Sequence, residues 1–190
     1  MDSQKAGKSK KQAAQNKGKK KRDYWIPKIF AMSIAISAIF SLVSSNVLNG
    51  AGYLIAFLLL AAFILIGILF DVVGVAVTVA DERPFHSMAA HGEKSAAWAL
   101  KLIRNAEKVS SVCNDVVGDI SGIVSGSTAA VIVTKLCTSF NLDSMLISVA
   151  ISAVVSGLTI GGKAIGKKIA INNSTKVVHA VARAIHLVKH

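Results

Sequence analysis

Residues 29–70 read IFAMSIAISAIFSLVSSNVLNGAGYLIAFLLLAAFILIGILF, 42 consecutive positions without a charged side chain. A hydrocarbon core about 30 Å thick takes roughly 20 helical residues to cross, so this stretch has the length of two spans. The break between them is expected near Asn46–Tyr53, where SNVLNGAGY supplies Asn and Gly turn residues. The first helix is therefore placed near Pro27–Leu48, with Tyr24 and Trp25 at the membrane interface. Pro27 falls in its first turn, where a missing amide donor costs little. The second helix is placed near Tyr53–Val79.

Asp81–Lys108 is different in kind. It carries Asp81, Glu82, Arg83, Glu93, Lys94, Lys101, Arg104, Glu107 and Lys108, with Ala97, Leu100, Leu102 and Ile103 at helical spacing. It reads as one or two amphipathic helices lying at the membrane surface. A third span is expected from about Val109 to Val133. A fourth is expected from about Ser144 to Ile165, rich in the Ser, Gly and Ala that suit close packing in lipid. From Ile171 to His190 the apolar positions again recur at helical spacing, with Lys176, Arg183 and Lys189 on the polar side. The expected fold is all-α, a polytopic membrane helix bundle. Residues 1–24 form a basic tail, 25–170 a transmembrane domain with juxtamembrane helices at 81–108, and 171–190 a C-terminal amphipathic helix.

Composition agrees with a bilayer as solvent. Hydrophobic residues make up 53% of the 190 and charged residues 17%, below the roughly 25% of soluble chains. The net charge of +12 resembles a nucleic-acid signal, but nine of the 22 Lys and Arg lie in Met1–Arg22. Aromatics at 6% are too sparse for base stacking, and no zinc-finger or helix-turn-helix spacing occurs. Met1–Arg22 has no aliphatic side chain larger than Ala after Met1, so it is expected to be disordered. Its basic run is too long for a signal peptide, and no small-residue cleavage site follows the apolar stretch. The tail suits the anionic lipid headgroups of an inner leaflet; contact with a nucleic acid or the ribosome is a second reading of it. With the N-terminus inside, four spans return the C-terminus inside and leave 21 of the 22 basic residues there, Lys135 being the exception. Both termini are thus expected to be cytosolic.

Asp71, Asp115 and Asp119 lie at or within spans. A bare carboxylate in hydrocarbon costs several kcal/mol, so each is expected to face a cavity, a partner or the bundle interior. Asp115 and Asp119 are four apart, on one face of an α-helix, with Asn114 adjacent. Together with hydroxyls such as Ser121 they make a candidate hard-cation site built from oxygen ligands. The competing reading is a structural ion pair between Lys163 and one of these aspartates. Gly162 and its neighbours Gly157, Gly161 and Gly166 either expose carbonyls to a cavity or permit close helix packing. Cys113 and Cys137 read as buried free thiols. The five histidines lie in surface segments and lack the spacing of a metal set. No nucleophile–base set or phosphate loop is present, and no enzyme is expected.

Three stretches, in order, resemble the transmembrane domain of the CorB/CorC and cyclin M (CNNM) family of magnesium transport proteins. Phe70-Asp71-Val72-Val73-Gly74-Val75-Ala76 stands in the frame of that family's F-S-x-x-E-x-A pattern. Gly92, Ala96, Ala99, Leu100 and Leu102 match its surface-helix pattern, and Asn114 and Asp115 lie near its ion-binding asparagines. GGKAIGKKIA, residues 161–170, stands in the frame of its G-E-x-x-P-K pattern. The likeness covers about Tyr53–His190. The departures are Asp71 for serine, Gly74 and Lys163 for glutamates, and Gly166 for proline. No CBS pair follows before His190. The resemblance implies a homodimer in a bacterial inner membrane that handles divalent cations, Mg2+ above all, in transport or homeostasis. The alternative it leaves open is a non-transporting adaptor or regulator whose ion site is altered by Lys163.

Overall fold

A computed structural model of the chain describes residues 25–46, 48, 52–140 and 144–188. The tail over residues 1–24 lies outside these, as does half of the expected break between the first two helices. The described residues form helices and no strands. The helices are α1 (Trp25–Asn46), α2 (Tyr53–Val79), α3 (Arg83–Ala90), α4 (Lys94–Arg104), α5 (Ala106–Ser110), α6 (Asp119–Phe140), α7 (Ser144–Asn172) and α8 (Ser174–Val188). Between α5 and α6 the helix continues as a π-helical segment, Ser111–Gly118. Four continuous helices, Trp25–Asn46, Tyr53–Val79, Ala106–Phe140 and Met145–Asn172, are long and apolar enough to cross a membrane. The chain is an all-α membrane bundle.

The second span is found at the expected residues. Leu54, Leu58, Leu65 and Leu69 point outward and are more than half exposed, while the buried positions mix Leu60, Phe63, Ile64 and Val77 with Ala56, Gly67, Asp71, Gly74 and Ala76. Lipid tails are as apolar as leucine, so large side chains can face outward at no loss, and small ones facing inward let backbones approach. At the centre of the fold, α2 packs against α6, α7, the π-segment, α5 and α8. Gly162 and Gly166 of α7 lie against α2: a Cβ on Gly162 would stand 2.2 Å from Ile68 Cδ1, and one on Gly166 2.7 Å from Val72 Cγ2. These two glycines are contact positions of the helix pair. Phe40 of α1 meets Phe63 of α2 at 5.5 Å between ring centroids, over Val116, Ile120 and Val124.

At one end of the bundle α3, α4 and α8 form a platform around Phe85, Ala99, Val178 and Ala182, closed from above by Ala76, Val77 and Ala170. Gly92, with φ at 81°, turns the chain from α3 into α4, a conformation that favours glycine. Arg104 reaches back to Glu82 at 3.4 Å. Glu93, at the start of α4, accepts from His179 of α8 at 2.7 Å and from Ser95 at 3.3 Å, with Arg183 at 3.8 Å. His179 therefore has the adjacent carboxylate that its sequence context did not reveal.

The hydrogen bond from His179, with the charges of His179 and Arg183, holds the Glu93 carboxyl below its ordinary 4.5. A depressed acid stabilises the fold above its unfolded pKa and loses that contribution as pH falls through its folded value. The expected result is that α8 loosens from α4 as the medium is acidified below pH 4.5. Hydrogen exchange of the α8 amides checks this: protection should fall with acid in the wild type and be weak at every pH in Glu93→Gln. Identical profiles for the two proteins would contradict it.

Candidate cation site in the membrane bundle

Gly67, Asp71 and Gly74 are spaced i, i+4, i+7 on α2, and so share one helical face. Asn114, Gly118 and Ser121 have the same spacing along the π-segment and the start of α6. The two faces meet in antiparallel register. A Cβ on Gly74 would fall 2.0 Å from Asn114 Oδ1, and one on Gly67 3.1 Å from Ser121 Cβ and 3.5 Å from the Gly118 carbonyl. Asp71 stands between these two contact layers and is 4% exposed.

Three buried side-chain polar atoms among the described residues have no hydrogen-bond partner: Asp71 Oδ2, Asn114 Oδ1 and Ser121 Oγ. All three are oxygens, and all belong to these two faces. An unpaired buried donor or acceptor costs about 1–3 kcal/mol, and a carboxylate in a bilayer several. Asn114 Nδ2 donates to Ser110 Oγ at 3.2 Å, which leaves the amide oxygen for the interface with Gly74. The absent Cβ of Gly74 is what makes room for that oxygen. A carboxylate, an amide carbonyl and a hydroxyl form a hard donor set, which suits Mg2+ or Ca2+ with retained waters. Among the described residues no three His, Cys, Asp or Glu side chains gather in a metal-binding group. The set is thus unlike the thiolate and imidazole sites of zinc.

Of the acidic residues singled out from the sequence, the structure brings Asp71 to this interface with Asn114, but neither Asp115 nor Asp119. Both of the latter are exposed. Asp115 and Asp119 do share one face, as their spacing implies, and it is the outward one, while Val116, Val117 and Gly118 are buried. Asp119 pairs with Lys163 Nζ at 3.8 Å, the ion pair foreseen as the competing reading. Lys163 arrives because Gly162 and Gly166 seat α7 directly on α2, and its Nζ lies 3.6 Å from where a Gly118 Cβ would stand. The ammonium thus borders the oxygen cluster at the layer of Gly118 while its partner carboxylate, 68% exposed, lies outside it. Gly67 and Gly118 were not singled out from the sequence. The signal that could have found them is the matched i, i+4, i+7 spacing of small and polar residues on two spans. Cys113 is buried and Cys137 partly buried, both as free thiols.

No protein-family model, curated protein or solved structure matches the chain.

Proposed function

We propose that this membrane protein binds a divalent cation, magnesium first, between α2 and the π-segment, and that it serves in cation transport or homeostasis. The observation that carries the reading is the buried carboxylate of Asp71, with Oδ2 unpaired, set between an unpaired Asn114 oxygen on one side and an unpaired Ser121 hydroxyl on the other. Asp71 supplies the charge, Asn114 and Ser121 supply neutral oxygens, and Gly74 supplies the space. The resemblance to the CorC and cyclin M transmembrane domain supports the same ion class. The homodimer expected from it stays within the proposal. Gly126 and Ala130 are exposed on α6, and a Cβ on Gly122 or Gly126 would meet nothing in the chain.

The platform end is proposed to be cytosolic, since 21 of the 22 basic residues belong to that side. A cysteine replacing exposed His91 should then resist an impermeant maleimide in intact cells, and one replacing Asn141 should react. The reverse pattern would overturn the orientation.

A second reading, a non-transporting regulator, is favoured by one observation, the Lys163 ammonium at the edge of the cluster. Magnesium titration of thermal stability separates the two. Under the cation reading the wild type and Lys163→Ala are both stabilised by magnesium, Asp115→Asn behaves like the wild type, and Asp71→Asn does not respond. Under the regulator reading the wild type is silent and Lys163→Glu gains a response.

A further inference from the structure

From Ser144 to His190 the chain holds six Lys or Arg and no Asp or Glu. Acids elsewhere meet two of the six, Asp119 pairing with Lys163 and Glu93 with Arg183. Lys167 and Lys168 of α7 are exposed, and among the described residues no acid pairs with either. Their level in the membrane follows from α2. A hydrocarbon core about 30 Å thick, begun at the aromatic Tyr53, ends near Val73 at about 1.5 Å per residue. Gly166 lies against Val72, so Lys167 and Lys168 stand at that boundary, where a lipid carries its phosphate.

One face of α7 leads to these lysines. Gly157, Gly161, Ala164 and Lys168 are spaced i, i+4, i+7, i+11 along it, and a Cβ on Gly157 or Gly161 would meet nothing in the chain. Ile160 and Ile165, 68% and 65% exposed, stand on either side of this shallow track. From Gly157 to Lys168 it runs about 16 Å, close to the roughly 15 Å depth of one leaflet's hydrocarbon. Past the lysines Ile169 and Ile171 are exposed as well, so the ammoniums emerge from an apolar surface and not from a polar one. The positive-inside bias explains why bases collect at this end. It does not explain two unpartnered ones at the end of an open apolar track.

We propose that this face of α7 binds an anionic phospholipid, its phosphate held by the Lys167 and Lys168 ammoniums and one acyl chain lying along Gly157, Gly161 and Ala164. Lysine suits the place, because its apolar stem tolerates the acyl region while its ammonium reaches the headgroups. Charge favours the lipid over a second copy of the chain. Two copies inserted in the same orientation and meeting through this face would bring identical residues together. Lys168 would then face Lys168, and a like-charge contact costs affinity. The lipid site is separate from the oxygens around Asp71 and stands whether or not a cation binds there.

The test uses the full chain with Ile160→Trp, in nanodiscs of mixed phosphatidylglycerol and phosphatidylcholine with one or the other brominated in its acyl chains. Quenching beyond that of Trp25 and Trp98 in the wild type reports which lipid lies on the track. Phosphatidylglycerol should be preferred about 30-fold, a factor of about five for each basic residue at the surface. In Lys167→Gln/Lys168→Gln the preference should fall to that of a Leu146→Trp reporter at the other end of α7. Lys94→Gln, which removes an exposed lysine of α4, should keep it. Glycerol phosphate in solution should displace neither lipid. Equal preference at the Ile160→Trp and Leu146→Trp reporters, a preference that survives loss of both lysines, or displacement by glycerol phosphate overturns the proposal. So does a Gly157→Cys protein that cross-links fully to a second copy in phosphatidylglycerol, because protein then covers the track.

Discussion

In magnesium-free buffer, Asp71→Asn is expected to unfold at a higher temperature than the wild type, and in saturating magnesium at a lower one. The crossing follows from the two roles of one carboxylate. Asp71 is buried, with one oxygen unpaired among apolar and small neighbours. Removing its charge relieves part of a desolvation cost that reaches about 2.5–3.5 kcal/mol for an aspartate at the centre of a membrane helix. With cation bound, the wild type gains stability by mass action, about 2.7 kcal/mol at a hundred-fold excess over Kd. The asparagine variant, left with neutral oxygens alone, gains none of it. Calorimetric melting of both proteins with and without magnesium measures the effect. Parallel shifts of the two proteins, or a wild type that is the more stable in both buffers, would contradict it.

The second large effect is expected at Gly74. An alanine there sets its Cβ 2.0 Å from Asn114 Oδ1 and 2.7 Å from Asn114 Cγ, so the amide must leave its place or the helices must part. Overpacking of this kind costs about 1–3 kcal/mol, and displacing Asn114 removes one of the three oxygens. Gly74→Ala should therefore lower the melting temperature and blunt the magnesium response together. Gly122→Ala is the matched control, since its Cβ meets nothing within 4 Å. Alanine in place of glycine within a helix gains about 0.5–1 kcal/mol, so that variant should be as stable as the wild type or more so. A Gly74→Ala protein that melts and responds like Gly122→Ala would show that the Asn114 amide does not depend on this gap.

Apolar blocks bounded by charge were legible. The second span is found at Tyr53–Val79 as expected, because both its limits coincide with a change of composition. The amphipathic segments at 81–108 and 171–190 also formed, as α3 to α5 and α8, from their apolar spacing. Helix ends past the apolar blocks were less legible. The third span runs on from Val133 to Phe140 because its polar side chains are satisfied within the fold. Thr134 and Thr138 bond carbonyls one turn back, and Lys135 donates to the Leu48 carbonyl at 2.5 Å. The fourth runs past Ile165 to Asn172, since Ala170 is buried in the platform core.

The candidate cation site was legible in half. Asp71, Asn114, Asp115 and Asp119 all stand out as polar residues in spans; spacing places Asp115 and Asp119 on one face, but it does not tell that this face turns outward while Asp71 turns inward. Gly74 shows the opposite case. As a departure from the resembled pattern it reads as a lost ligand; in the fold it is the gap that admits Asn114 Oδ1.

The most direct measurement is the anomalous difference map of crystals of the full chain grown with manganese, which substitutes for magnesium and scatters anomalously. The account requires a peak between α2 and the π-segment, within coordination distance of the Asp71 carboxylate, and its loss in Asp71→Asn. A protein that crystallises with no peak there, or with manganese at Asp115 and Asp119 instead, would contradict it.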